Sequence, residues 1–172
     1  RFGTMESMTR CNSSGLALLL AALGCPIGNK ADQEYRLPSA VRDAPLWQKR
    51  LFLSAFFGAE MSAPKAMSRR NFYCPMISAS KRLDLVENAR EFLGDIGRLL
   101  GGFGVEMQAV SRVHDDYLGA QGRRSARYRL LLSSRPDSLL ALYEKVGVTY
   151  SRDKMALGLA AGACSGNGIL LD

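Results

Sequence analysis

A short apolar stretch with several small side chains, residues 51–62, constrains the fold of this chain more than any other segment. Its composition predicts a helix that ends in one acid, Glu60. Small residues are predicted to share one side of that helix: Ser54, Ala55, Gly58 and Ala59. A second backbone can approach a helix closely only where the side chains are that small. The stretch predicts either a carboxylate at the end of a tight helix–helix seam, delivered to a shared centre where it holds a metal ion, or a buried helix with a polar end.

The charge of the chain favours polyanionic partners. Its 23 Lys and Arg residues outnumber its 16 Asp and Glu residues, for a formal net charge of +7. A basic excess of this size is typical of proteins that bind nucleic acid or an anionic membrane surface. The longest apolar runs, 16–23 and 155–164, are too short to span a bilayer. We therefore expect no membrane span, and nucleic acid is the leading class of partner.

The cysteines and the histidine argue against a zinc site. None of the 4 cysteines forms a C-x-x-C pair, and the chain contains 1 histidine, His114. That histidine stands beside Asp115 and Asp116, and we interpret the three as a polar hairpin rather than a metal cluster. Scattered thiols in a chain of this size indicate a reducing compartment. The protein is therefore expected to be intracellular and cytoplasmic.

Periodicity along the chain predicts helices mixed with antiparallel strands. Apolar residues from Leu83 to Leu100 recur at helical spacing, and the following pair of glycines is predicted to end that helix. Further helices are predicted at 15–24, 45–60, 138–146 and 152–163, and strands at 72–80, 104–113 and 126–133. A further strand within 62–70 is not expected to be central in the sheet, because it contains Pro64. Because hairpins joined by helices give an antiparallel sheet, we expect an α+β fold with its helices on one face of the sheet.

The other face of the predicted sheet is basic and polar. Side chains that alternate on the strands, or stand at their ends, supply its predicted nucleic-acid contacts: Lys65, Arg69, Arg70, Tyr73, Ser78, Arg112, Arg123, Arg124, Arg127 and Arg129. A twisted two-stranded ribbon has the width to enter a DNA major groove. The alternative is a sheet face that is merely solvated, and the residues alone leave both interpretations open.

An internal repeat suggests how the chain is divided. Residues 11–30 and 133–154 each contain a short apolar helix, a glycine that stops it and a lysine a few residues later. A match of this kind is expected where a domain has been duplicated. The sequence therefore predicts that residues 1–44 are the tail of a preceding homologous repeat plus a linker. Residues 45–172 are predicted to form the domain itself.

The segment from Trp47 to Glu60 carries a resemblance to a known family. It is similar to the second signature helix of the LAGLIDADG homing endonucleases, most closely those encoded in archaeal inteins, with Leu53 to Met61 at the nine signature positions. Two further segments resemble the end of that family's first repeat and the helix after its first hairpin: residues 23–30 and 92–105. The resemblance implies the homing-endonuclease fold, helix-strand-strand-helix-strand-strand-helix, with a saddle-like sheet.

The resemblance also implies an activity and a set of site residues. The expected activity is site-specific cleavage of double-stranded DNA, a phosphodiester hydrolysis that uses Mg²⁺ or another divalent cation. Glu60 matches the position of the family's metal-binding acid. Ser80 and Lys81 stand near the position of its water-ordering polar group. Arg135 stands where the family often places a lysine close to the reacting phosphate.

Such enzymes use two signature helices, and this chain contains one. The resemblance therefore implies a partner helix from a homodimer partner or from a missing first repeat. Because the chain lacks the splicing residues of an intein at both ends, we expect a fragment, a decayed copy or a free-standing relative. Two alternatives remain open at this point. One is a nuclease-inactive LAGLIDADG-fold module that binds DNA or assists RNA splicing, and the other is a purely structural domain.

Overall fold

The computed structural model of the protein describes residues 12–67, 72–118, 122 and 124–167. Its helices are α1 (Ser14–Ala22), α2 (Ser39–Arg42), α3 (Leu46–Glu60), α4 (Val86–Gly101), α5 (Pro136–Leu140) and α6 (Arg152–Asn167). A 3₁₀ turn at Leu83–Leu85 precedes α4, and a π-helical turn at Ala141–Val146 continues α5. Its strands are β1 (Met76–Arg82), β2 (Met107–Leu118) and β3 (Arg124–Leu132). The α+β class predicted from the sequence is confirmed.

The described strands form one antiparallel sheet in the order β1-β3-β2. The strand predicted at 62–70 is absent from the described part of that segment, where only isolated bridges occur. The strand predicted at 72–80 begins later, at Met76. Pro64 and Pro75 explain both differences, because proline has no N–H to donate to a ladder. The prediction of four strands is therefore wrong for the described residues, which form three.

The core lies between one face of the sheet and the helices α3 and α4. The apolar stripe predicted on α4 is buried: Ala89, Phe92, Leu93, Ile96, Leu99 and Leu100. Ile77 of β1, Leu130 of β3 and Phe57 of α3 are fully buried against it. Each such side chain contributes about 1.5–3 kcal/mol on burial. This packing decides which face of the sheet is covered and leaves the other face open.

The small residues of α3 receive a loop rather than a second helix. The Thr149 N–H donates to Ser54 O at 3.0 Å, and the hydroxyls of Ser54 and Thr149 lie 2.5 Å apart. At Gly58 a methyl group would overlap the carbonyl oxygen of Thr149. A backbone does approach closely at these positions, but the predicted helix–helix seam is wrong, because a loop occupies it. Ala55 and Ala59, which the sequence predicts in the same seam, are exposed in this structure.

The end of α3 is held by a lysine from the last helix. The Lys154 ammonium group of α6 donates to the carbonyl oxygens of Gly58 at 3.0 Å and Met61 at 2.7 Å. A longer bond of 3.3 Å reaches Phe57 O. The last carbonyls of a helix have no partner within the helix, and a cation there also favours the helix dipole. This contact fixes the position of Glu60, the residue that ends α3.

The first helix, α1, stands apart from the core and buries none of its residues. Ser13 caps its start by accepting from Leu16 N–H at 3.2 Å, and Gly24 follows its end with φ +93°, as the sequence predicted. Among the helices in the described ranges, none is both long enough and apolar enough to cross a membrane. The predicted division of the chain after residue 44 stays a prediction.

Candidate nucleic-acid interface

Two cross-strand rows form the middle of the open sheet face. In the first row Ser78 pairs with Arg129, and in the second Ser80 pairs with Arg127. Ser111 of β2 continues the first row. These residues alternate along their strands with buried ones, which is the period-two pattern of a sheet covered on one side. We call these paired positions, Ser78, Ser80, Arg127 and Arg129, the serine–arginine rows.

The remaining predicted contacts are scattered. Lys65 and Tyr73 are exposed, and the Tyr73 N–H donates to Lys65 O at 2.9 Å. Arg124 is exposed at the start of β3. Arg112 is exposed, but it pairs with the buried Tyr128, so its register position is on the helix-covered face and not on the predicted open face. Its contact with nucleic acid stays a prediction. The prediction for this strand is one residue out of phase, because Ser111 is the open-face residue.

Some predicted residues lie outside the part of the chain that can be described. Arg69, Arg70 and Arg123 fall in this group, so their contacts stay predictions. His114 belongs to β2 by its backbone, but its side chain is also outside the description. The interface that can be argued from structure is therefore the serine–arginine rows and the cleft beside them.

A cleft of about 300 Å³ opens beside these rows. Its polar lining includes Glu60 at the end of α3, Lys30 of the connector between α1 and α2, and Arg127 of the sheet. The Lys30 ammonium group donates to Glu60 Oε1 at 2.8 Å, and this bond raises the pKa of Lys30. Ser80 lines the same cleft. The structure therefore brings together two of the predicted catalytic residues, Glu60 and Ser80, with two of the predicted nucleic-acid contacts, Ser78 and Arg127.

Lys81 lies on the other side of the sheet from Ser80. Its side chain is fully buried, its ammonium group is 3.8 Å from the centre of the Tyr35 ring, and it donates to Gln33 O. Burial lowers the pKa of this amine to about 8. Lys81 therefore joins β1 to the connector and holds the connector in place. Its immediate contacts are with the connector, not with the open face.

The connector is attached to the sheet and to α4 by further hydrogen bonds. Asn88 of α4 accepts from Tyr35 N–H at 3.1 Å and donates to Tyr35 O at 2.9 Å. The Arg82 N–H donates to Ala31 O at 3.0 Å, and Leu37 is buried. Sequence reasoning missed Lys30 and Tyr35 as cleft residues. Their one signal was an aromatic and a basic side chain in a segment otherwise interpreted as linker.

Arg135 is remote from the other predicted site residues. It follows the end of β3, whereas Arg127 lies near the start of that strand. Its side chain is exposed, and its nearest described carboxylate is Glu106, at 3.5 Å. Ser80 pairs with Arg127 at the opposite end of the sheet. The structure therefore does not bring Arg135 to the cleft that contains Glu60.

The cleft does not fit a divalent cation. Mg²⁺ requires close to six oxygen ligands in octahedral geometry, and proteins usually bind it through one or two carboxylates. Glu60 is the single carboxylate among the lining residues, and Lys30 already occupies one of its oxygens. Within the described residues, no group of three or more His, Cys, Asp or Glu is placed to hold a metal ion. The chemistry of the cleft is accordingly that of an ion pair beside aromatic rings.

Comparison with known proteins identifies relatives among enzymes of RNA metabolism. The chain is 34% identical over 155 residues to the tRNA-splicing ligase RtcB of Pyrococcus abyssi, covering 90% of this chain and 16% of that protein. It is 35% identical over 158 residues to the tRNA-splicing ligase RtcB of Pyrococcus furiosus, covering 92% and 15%. The chain thus spans about one sixth of the length of these relatives. No family model matches the chain, and no solved structure matches it.

A protein with another name matches the same chain. The DNA-directed RNA polymerase subunit Rpo1N of Methanocaldococcus jannaschii is 28% identical over 142 residues, which cover 83% of this chain and 10% of the subunit. The matched stretch is therefore of similar length in proteins named for different reactions. Each match covers a small share of the larger protein.

These relatives contradict the interpretation as a LAGLIDADG homing endonuclease of intein type. Relatives that match about nine tenths of this chain are named as RNA ligases, not as DNA endonucleases or hydrolases. The nuclease-inactive LAGLIDADG module, the double-stranded DNA partner and the homodimer partner lose their support with it. The physical reason lies in α3. Its small residues reflect the approach of the backbone at Thr149, so they do not by themselves identify a family.

Proposed function

We propose that this chain is an RNA-binding module carried by larger enzymes of RNA metabolism. Its relatives are named for splicing tRNA and for polymerising RNA, which are different reactions. A segment of about 150 residues that recurs in both, and makes up a small share of each, is better suited to a task common to both than to either chemistry. Binding of RNA is such a task.

The observation that carries the proposal is the pair of serine–arginine rows on the open sheet face. An arginine fork binds phosphate oxygens with two parallel hydrogen bonds. Arg129 is half-buried, and its buried Nε has no hydrogen-bond partner among the described residues, so its guanidinium is not held by an ion pair or hydrogen bond at that atom. The serine hydroxyls at 78 and 80 can donate to or accept from a ribose 2′-hydroxyl, the group that distinguishes RNA from DNA.

The net charge of +7 supports the same proposal, since it draws polyanions to the surface over a distance. The scattered cysteines support an intracellular compartment, where RNA is met, and the described ones are free: Cys25, Cys74 and Cys164. We assign the chemistry named for the larger relatives to the rest of their chains. The isolated chain is therefore expected to bind RNA without ligating it.

Replacement of both arginines of the rows tests the proposal. We expect Arg127→Gln with Arg129→Gln to weaken binding of a short RNA stem-loop about tenfold or more, because two phosphate contacts are lost. Fluorescence anisotropy of labelled RNA, repeated over a series of salt concentrations, is the measurement. The slope of log affinity against log salt is expected to fall by about 1.4, or about 0.7 for each lost contact.

A matched control has the same change of charge elsewhere. Arg90 belongs to α4 and pairs with Glu87 at 2.8 Å, and Arg36 belongs to the connector and pairs with Glu91 of α4 at 2.6 Å. Their double replacement by glutamine should leave RNA affinity within about twofold, since surface pairs of this kind contribute little. An equal loss of RNA affinity in both double variants would overturn the assignment of RNA binding to the serine–arginine rows. Equal or tighter binding of a duplex DNA of the same length would overturn the choice of RNA.

A further inference from the structure

The cleft beside Glu60 has an aromatic floor. Tyr35, Phe56 and Phe92 line it, and their rings pack edge to face. The centroids of Tyr35 and Phe92 are 4.9 Å apart at 70°, and those of Phe56 and Phe92 are 6.1 Å apart at 78°. Lys81 lies against the Tyr35 ring and fixes its position. A preformed floor of this kind suits a flat ring system, since aromatic contacts favour stacked or edge-on arrangements.

The rim of the cleft is polar and carries both signs of charge. Arg127 and Lys30 are cations that can face a phosphate, whereas the Glu60 carboxylate accepts hydrogen bonds only. Lys30 takes Glu60 Oε1, and no hydrogen bond among the described residues uses Oε2. The Glu60 side chain is 35% exposed and lines the cleft, so its carboxylate is accessible to a ligand there. The volume of about 300 Å³ is at the lower end of small-molecule sites.

We propose that this cleft binds one unpaired RNA nucleotide whose base carries its amino group at the position of cytosine C4 or adenine C6. The base lies on the aromatic floor, its amino group donates to Glu60, and its phosphate meets Arg127. Cytosine and adenine present such a donor, as in the pairing of Glu with the cytosine amino group. Uracil presents carbonyl oxygens at the corresponding position, and these repel a carboxylate. The inference rests on the proposed RNA binding and adds base selectivity to it.

The test uses mononucleotides, so that it does not depend on binding of a longer RNA. We expect the full chain to bind CMP and AMP about tenfold more tightly than UMP in calorimetric titrations. Glu60→Gln should remove this preference, because the amide adds a donor where only an acceptor is selective. Phe56→Leu should weaken all three nucleotides, since it removes a ring from the floor.

Two variants separate selectivity from loss of structure. Lys30→Met breaks the same ion pair as Glu60→Gln but retains the carboxylate, so it should keep the preference for CMP and AMP over UMP. Glu106→Gln changes an exposed carboxylate beside Arg135, at the far end of the sheet. It should leave the affinities for CMP, AMP and UMP unchanged. Equal binding of the three nucleotides, or no binding, would overturn the inference. So would an unchanged preference in Glu60→Gln.

The two proposals fail in different experiments. If the stem-loop binds through the serine–arginine rows while mononucleotides show no base preference, the cleft inference fails and RNA binding stands. If the stem-loop does not bind but CMP and AMP are preferred over UMP, the cleft binds nucleotides and the RNA-binding module is wrong.

Discussion

Gly58→Ala is expected to destabilise the protein by about 2–3 kcal/mol, at the upper end of what overpacking costs. A methyl group at this position overlaps the carbonyl oxygen of Thr149, a backbone atom that cannot rotate away. Thr149 is also bonded to Ser54 through its N–H and its hydroxyl, so the loop cannot retreat without losing those bonds. Urea denaturation followed by circular dichroism measures the change in the free energy of unfolding.

The matched control for this prediction is Gly94→Ala, in the middle of α4. A methyl group at Gly94 meets only the end of the Arg98 side chain, at 3.8 Å, which is ordinary contact. Alanine is favoured over glycine inside a helix, so this variant should gain about 0.5–1 kcal/mol. Changes of opposite sign in the free energy of unfolding of the two variants would establish the close approach of the Thr149 backbone to α3. A stable Gly58→Ala protein would contradict the packing described for Thr149.

Raising the pH from 7.5 to 9.5 is expected to stabilise the protein by about 1 kcal/mol through Lys81. Burial lowers the folded-state pKa of this lysine to about 8, from an ordinary value of 10.5. Between those two values the unfolded chain binds more protons than the folded protein. Stability therefore rises as pH increases through this range. The charged amine is tolerated at neutral pH because it contacts Gln33 O and the Tyr35 ring.

The comparison that isolates this contribution uses Lys81→Met. Methionine fills a similar volume and does not titrate, so its stability should lack this pH-dependent increase. Other lysines and tyrosines titrate in both proteins, and their contribution cancels in the difference between the two curves. Urea midpoints at both pH values supply the measurement. Parallel curves for the wild type and the variant would mean that Lys81 is not desolvated as described.

Features of this fold that depend on local spacing were predictable from the sequence. The apolar stripe of α4 repeats every three to four residues, and the alternation in β3 repeats every two. The glycines that end helices also follow a local rule, and Gly147 adopts φ +80° after the π-helical turn. The one strand predicted out of phase, at Arg112, shows how a shift of a single residue exchanges the two faces.

The cleft was not predictable in the same way, because it is built by contacts between distant segments. Lys81 and Gln33 are 48 positions apart, and Tyr35 and Asn88 are 53 apart. A connector with mixed charge gives no periodic signal that would place it over a sheet. The seam on α3 is an intermediate case. Its small residues predicted a close approach, but the partner was a loop 95 positions away rather than another helix.

The contact between Lys154 and the end of α3 links the last helix to the proposed binding cleft, although the residues that line the cleft include none from α6. Opening of α6 removes an ammonium group that three carbonyl oxygens share, at the turn that positions Glu60. Local unfolding in proteins occurs in cooperative units, and this bond joins α6 and the last turn of α3 into one such unit. A molecule that binds the cleft therefore also stabilises a helix more than 90 positions further along the chain.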